Sequence, residues 1–168
     1  SGALIPSVPA TSPWTIEGQL WRLERTPSLR WVRLPPPPEI ALGCAITVDT
    51  RRGRLVLLGG TDLDGTPHAV SQWFELSTGQ WNVTEPPTAP DPRLGYAVAY
   101  DHPRDRVLVF GGNSYSGSFH EDLWARTSRD GVWQKLEVAG TPPVGRYDAT
   151  LIEDPRRDRL LLLGGQGY

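Results

Sequence analysis

The side chains best equipped for chemistry fall in two loops of matching layout, each opening after a glycine pair. Thr61, Asp62, Asp64 and His68 follow Gly59-Gly60, and Asn113, Ser114, Tyr115 and His120 follow Gly111-Gly112. Carboxylate, amide, phenol and imidazole groups can hold a polar ligand or exchange a proton with it. Asp62, His68, Asn113, Tyr115 and His120 are therefore candidate ligand contacts. The contents of the two loops are unequal, which argues against a repeated, identical pocket. A metal centre does not follow: His68, His102 and His120 stand in no His-x-His, His-x-x-x-His or Cys/His spacing, and His102 falls in a surface turn. The single cysteine, Cys44, lies on a stretch where a small core residue is expected, and it can form no intrachain disulfide. No nucleophile motif, phosphate-binding glycine loop or paired-carboxylate motif accompanies these residues, and no cofactor is implied.

The loops are positioned by a repeat. Arg54 to Leu58, Arg106 to Phe110 and Arg159 to Leu163 are apolar strands that each run into a glycine pair: Gly59-Gly60, Gly111-Gly112 and Gly164-Gly165. An aspartate stands five residues before each leading arginine, at Asp49, Asp101 and Asp154. The spacings of 52 and 53 residues, built of short strands, point to a propeller or another repeat array. Strands apolar on both faces imply cover on both sides. In the most complete copy, strands at 94–100, 106–110, 121–126 and 132–136 make an antiparallel meander with short turns, and the glycine pair is expected to end the second strand. The first copy follows at 42–48, 54–58, 72–76 and 81–83. The third has only its first two strands, at 147–153 and 159–163.

The complementary half lies at the other end of the chain, at 19–23 and 30–34. Six of the seven tryptophans form pairs in the outer strands, Trp21/Trp31, Trp73/Trp81 and Trp124/Trp133, and support this register. All six are expected to be structural. The expected division is a segment at 1–17, two outer strands at 18–40, whole repeats at 41–90 and 91–140, and two inner strands at 141–168. The net charge of -2 gives no footprint for nucleic acid or an anionic membrane, and no apolar run approaches a membrane span. The chain holds no methionine, even at position 1, so a processed product or a fragment is expected.

The linked elements (strand, aspartate before a turn, arginine, four apolar residues, glycine pair, then Leu-Trp and a later Trp) resemble the kelch motif over residues 18–165. The resemblance implies an all-β propeller of four-stranded antiparallel blades, commonly six or seven per ring. This chain carries three blades' worth, so two copies are expected to close head to tail into a six-bladed homodimer. In kelch binding domains, arginines just before the innermost strand line the ligand face; the matching positions are Arg93, Arg146 and Ala41, the last departing from arginine. The implied function is an interaction scaffold that binds a protein or small ligand through loops around the axis. A metal-independent sugar mutarotase and a purely architectural half-propeller are the alternatives.

Overall fold

The computed structural model describes residues 18–39, 42–62, 66, 68–86, 88–114 and 116–167. These form fourteen strands and no helix. An N-terminal hairpin, β1 (Leu20–Glu24) and β2 (Arg30–Leu34), precedes a first four-stranded sheet of β3 (Ala45–Asp49), β4 (Arg54–Leu58), β5 (Ser71–Glu75) and β6 (Gln80–Thr84). The second sheet holds β8 (Ala97–Asp101), β9 (Arg106–Phe110), β11 (Leu123–Thr127) and β12 (Trp133–Leu136) in chain order, all antiparallel. Two-residue strands β7 (Arg93–Leu94) and β10 (Asn113–Ser114) pair beside it. The hairpin of β13 (Arg146–Asp154) and β14 (Arg159–Gly167) closes the described chain.

The two sheets stack face to face. Val56 and Leu58 of β4 meet Tyr100, Val107, Val109 and Trp133 of the second sheet in one buried cluster. The other face of β9 (Leu108 and Phe110, both buried) turns toward the C-terminal hairpin, where Phe110 and Leu123 share an apolar cleft with Leu151, Leu160 and Leu162. β9 is thereby covered on both sides, as its composition requires.

Five expectations are corrected. The inner strands begin at Ala45 and Ala97 rather than at 42 and 94, because Gly43 (φ 63°) and Gly95 (φ 59°) turn the backbone left-handed just before them. The third glycine pair does not end its strand: β14 continues through Gly164 and Gly165, with Ala149 opposite Gly164 and Arg146 opposite Gly167. Leu161 lies on an open face, 49% exposed, with Leu163 at 70%, so β14 is covered on one side only in the single chain.

The other two corrections concern the tryptophans. Those of the third strands are not in register. Trp81 and Trp133 occupy equivalent rows, through Phe74 to Leu55 and through Arg126 to Val107. Trp73, however, sits opposite Val56 and Trp124 opposite Val109, one residue apart and so on opposite faces. Nor does the N-terminal pair pack as a structural pair should. Trp31 is 64% exposed and Trp21 is exposed too, and together they line an open apolar hollow. Trp31 stands opposite Leu23, in the row that Trp81 and Trp133 occupy. The difference is in what surrounds it. Trp133 is buried against the first sheet, and Trp81 lies 5.2 Å from the Phe74 ring and donates to Pro35 O. The hairpin of Trp31 is a two-stranded sheet on its own.

Between the sheets runs a ladder of charge. Arg52 donates two hydrogen bonds of 2.7 Å to the carboxylate of Asp105, 53 residues on, while also holding its own Asp49 at 3.2 Å. Arg104 repeats the arrangement, reaching Asp158 at 2.7 and 3.0 Å and Asp101 at 3.3 Å. The turn aspartates and arginines thus brace each turn and also clamp it to the next sheet. Asp105 (φ 51°) and Asp158 (φ 46°) adopt the left-handed conformation that aspartate tolerates better than most residues. His102 adds a second rung, with Nε2 2.5 Å from Thr50 Oγ1 and Nδ1 on Glu153.

The hydrogen bonds from Arg52, then from Tyr100, hold the Asp105 carboxyl far below the usual carboxylate range. A carboxylate depressed in the folded state contributes stability above its unfolded pKa of about 4 and loses it as pH falls toward the folded value. Asp105→Asn keeps a residue suited to the left-handed turn and removes the charge. Urea midpoints are expected to fall by about 1 kcal/mol equivalent at pH 7. The gap to the parent should narrow as pH is lowered below about 4; an undiminished gap at pH 2 to 3 would show that the clamp does not carry the effect.

Candidate functional site

The chain path puts the glycine-pair loops and the strand β7 at one end of the sheets. The glycines there are required by contact as well as by conformation. A Cβ on Gly111 (φ 74°) would stand 2.4 Å from Arg146 O, and one on Gly112 (φ 95°) would stand 2.9 Å from Arg93 Cδ. The glycine pair therefore lets β9 end directly against both candidate arginines.

Arg93 is buried, with 2% of its surface exposed. Its Nε donates to Asp91 O at 3.0 Å, and Nη1 donates to Gly111 O at 3.1 Å and to Asp122 Oδ1. Nη2 adds a contact to Asp122 Oδ2 at 3.3 Å. Trp124 Nε1 completes the cradle, donating to Asp122 Oδ2 at 2.7 Å. Burial pushes the Asp122 carboxyl up, but the hydrogen bonds from Arg93 and Trp124 outweigh it and hold it below the ordinary range. Arg146 repeats the backbone part, with Nε to Val144 O and Nη1 to Gly164 O, both 3.0 Å, at identical sequence offsets. It has no carboxylate partner among the described residues. Proton transfer by this arginine pair, as the mutarotase alternative needs, would have to begin from guanidiniums already bound to backbone carbonyls.

The loop residues separate into two groups. In the first loop His68 Nε2 lies 3.5 Å from Asp62 Oδ2, and Asp62 Oδ1 accepts from Thr66 N at 2.8 Å. In the second, Asn113 pairs with Leu94 and Ser114 with the buried Arg93. Asn113 Oδ1 and His120 Nε2 are buried there without a hydrogen-bond partner. Burial, then the charge of Arg93, hold the His120 pKa down. The two histidines are equivalent: His68 N donates to Gly60 O at 2.8 Å and His120 N to Gly112 O at 2.9 Å. His68 and Arg93 also line one small hollow of about 20 Å³. Tyr115, Asp64 and Ala41 lie outside the described residues. Cys44 is half-buried, and burial raises its thiol pKa.

Sequence reasoning missed Asp122. Its signal was an acid two residues before the tryptophan of the third strand, a place that reads as ordinary strand until Arg93 is seen to end there. Asp122→Ala leaves a buried guanidinium without its counter-charge, so a loss of about 3–5 kcal/mol is expected in urea unfolding. Arg146→Ala removes exposed backbone bonds and is expected to cost no more than about 1–2 kcal/mol. Equal losses for the two would contradict the bracing assigned to Arg93.

No family model matches the chain. It is 28% identical over 165 residues to an F-box/kelch-repeat protein of Arabidopsis thaliana, covering 89% of this chain and 32% of that protein. It is 30% identical over 129 residues to a Rab9 effector protein with kelch motifs of Gallus gallus, covering 70% and 32%. The chain spans about a third of the length of these curated relatives. Among solved structures it resembles that of YjhT, with a TM-score of 0.67 at 13% identity, over 82% of this chain and 48% of that one.

Proposed function

Because this chain is built of kelch repeats, we propose that it serves as an interaction scaffold in which two copies close into one six-bladed propeller. The observation that carries the reading is a pair of matching open faces. Ile46 and Val48 are 54% and 42% exposed on the side of the first sheet turned away from the second. Ile152, Leu161 and Leu163 are 51%, 49% and 70% exposed on the side of the C-terminal hairpin turned away from the second sheet. Apolar faces of this kind are rarely left open to water. Head-to-tail joining covers one with the other and gives a closed, twofold assembly. It also supplies the hairpin of Trp21 and Trp31 with the inner strands that it lacks.

The strand edges agree in detail. In the second sheet Phe110 opposes Leu123, Val109 opposes Trp124 and Arg106 opposes Thr127. Carried onto β14 and a second copy's β1, that register sets Leu163 against the partner's Leu20, Leu162 against the partner's Trp21, and Arg159 against the partner's Glu24. The last pair repeats Arg54 and Glu75, which are 2.6 Å apart in the first sheet. The partner's Gln19 then falls where Asp122 stands beside Arg93. Within its own chain Gln19 Oε1 already accepts from Trp21 Nε1 at 2.9 Å, as Asp122 does from Trp124. Arg146 would gain the acceptor that Arg93 has.

In the closed ring, Arg146, Asp62, His68, Asn113 and His120 ring the axis as the face for a protein segment or small ligand. The names of the relatives, an F-box protein and a Rab9 effector, support a role in protein contact.

Light scattering on a size-exclusion column is expected to give the mass of two chains across a dilution series. Leu161→Asp should yield a folded single chain, since Leu161 is half-exposed there. Gly53 occupies the turn position of Asp105 and Asp158, so Gly53→Asp would offer the partner's Arg157 the missing clamp. It is expected to tighten the dimer by about fivefold to tenfold. A parent that runs as a well-folded monomer at every concentration overturns the closure.

A further inference from the structure

A cavity of about 430 Å³ opens between the two sheets, on the side of the β3–β4 and β11–β12 turns, away from the glycine-pair loops. Its walls include Val56, Trp73, Pro86 and Val132, and its polar lining includes Arg54, Arg126 and Ser128. It is complete within one chain and does not depend on ring closure.

Two of those residues break the repeat. Rows of the register place Arg126 where the first sheet has Phe74 and the N-terminal hairpin has Leu23. An apolar site has thus become a guanidinium, and it is 7% exposed. Arg126 makes no ion pair or hydrogen bond to any described residue, and its Nε is buried without a partner. Ser128 Oγ, in a residue 6% exposed, is likewise buried and unpartnered. Arg54 departs from its equivalents in a different way. Arg106 and Arg159 donate to the aspartate five residues back, at 2.8 and 3.0 Å, whereas Arg54 leaves Asp49. It lies 2.6 Å from Glu75 and 5.4 Å over the Trp73 ring.

A buried cation held by no ion pair or hydrogen bond is costly, and here one stands where the other copies place Phe or Leu. Both carboxylates of the lining are already engaged. Asp49 accepts from Arg52 N and Nη1, and Asp130 accepts from Thr127 Oγ1 and from Val132 N. Arg54 is met by Glu75 and Asp49 by Arg52, so Arg126 in the wall and Arg129 at the rim are left to share Asp130, one positive charge in excess. We propose that this inter-sheet cavity binds a small organic monoanion, a carboxylate held by Arg126 and Ser128 with a flat apolar body against Trp73 and Val132. The volume lies within the range of small-molecule sites, and its mixture of apolar wall and few convergent polar groups is the usual make-up of one.

Benzoate is the probe and benzamide, its neutral isostere, the control, each titrated at low salt into the full chain. The readouts are Trp fluorescence and the amide resonances of residues 126–132. Benzoate is expected to shift those resonances saturably and benzamide to leave them in place. Arg126→Leu, which restores the type of residue found in the other copies, and Arg126→Gln are each expected to weaken benzoate about tenfold or more. Without benzoate, both variants should melt no lower than the parent, an outcome that a bracing role for Arg126 would reverse. The proposal is overturned if benzamide binds as well as benzoate, if either folded variant keeps the parent's affinity, if both variants melt lower, or if millimolar benzoate leaves the resonances unmoved.

Discussion

A strand such as Val107-Leu108-Val109-Phe110 buries both faces only when a packed layer stands on each side of it, and most of the architecture follows from that requirement. Val107 and Val109 meet the first sheet, and Phe110 lines a cleft with Leu151, Leu160 and Leu162 of the C-terminal hairpin. Each repeat therefore stabilises its neighbours and cannot complete its own core, as in other repeat arrays. The same rule creates the open faces at both ends of the single chain. Ile46 and Val48 at one end, and Leu161 and Leu163 at the other, are what remains when a row of layers stops without closing.

Charge sets the spacing that apolar packing leaves loose. Apolar contact fixes which faces meet but tolerates sliding, whereas a bidentate guanidinium–carboxylate pair fixes position and angle together. Arg52 on Asp105 and Arg104 on Asp158 pin successive layers at the turn end. Arg93, with Asp122 and the Gly111 carbonyl, pins the loop end. Of the 17 basic residues all but Lys135 are arginine, and the clamps show why that choice matters at these positions. A lysine offers a point charge where the structure uses a planar fork.

The order of strands was legible because it is written in contiguous residues: apolar run, glycine pair, turn aspartate, all recurring in step. What was not legible depends on partners far apart in sequence. The asymmetry of Trp73 and Trp124 is a shift of one residue in pairing, invisible in a motif that asks only for a tryptophan in the third strand. Leu161 read as buried because its strand has the composition of β9, yet burial belongs to the neighbour and not to the strand. Trp31 makes the same point from the other terminus, sharing the row of a buried Trp133 while its own ring lies open. For the glycine-pair loops, sequence supplied the residue types and the equivalence of His68 and His120. It did not supply Asp122, whose role appears only when Arg93, 29 residues earlier, is brought against it. Arg126 was hidden most completely, since within its own strand it looks like one more exposed arginine.

Position 53 connects these themes. Asp105 and Asp158 hold left-handed turns that glycine would adopt more readily, and each is met by an arginine from the preceding layer. A strained conformation is kept where an interaction compensates for it. The first sheet has Gly53 at the same place, with φ 65°. Among the described residues no arginine of a preceding turn reaches it, and what precedes the first sheet is the two-stranded N-terminal hairpin. Where the compensating partner is absent, so is the strained residue, and the backbone takes the form that needs none. The residue at 53 thus follows its surroundings: the clamp is built where a turn arginine of the preceding layer reaches the position, at Asp105 and Asp158, and it lapses at Gly53, which no such arginine reaches among the described residues.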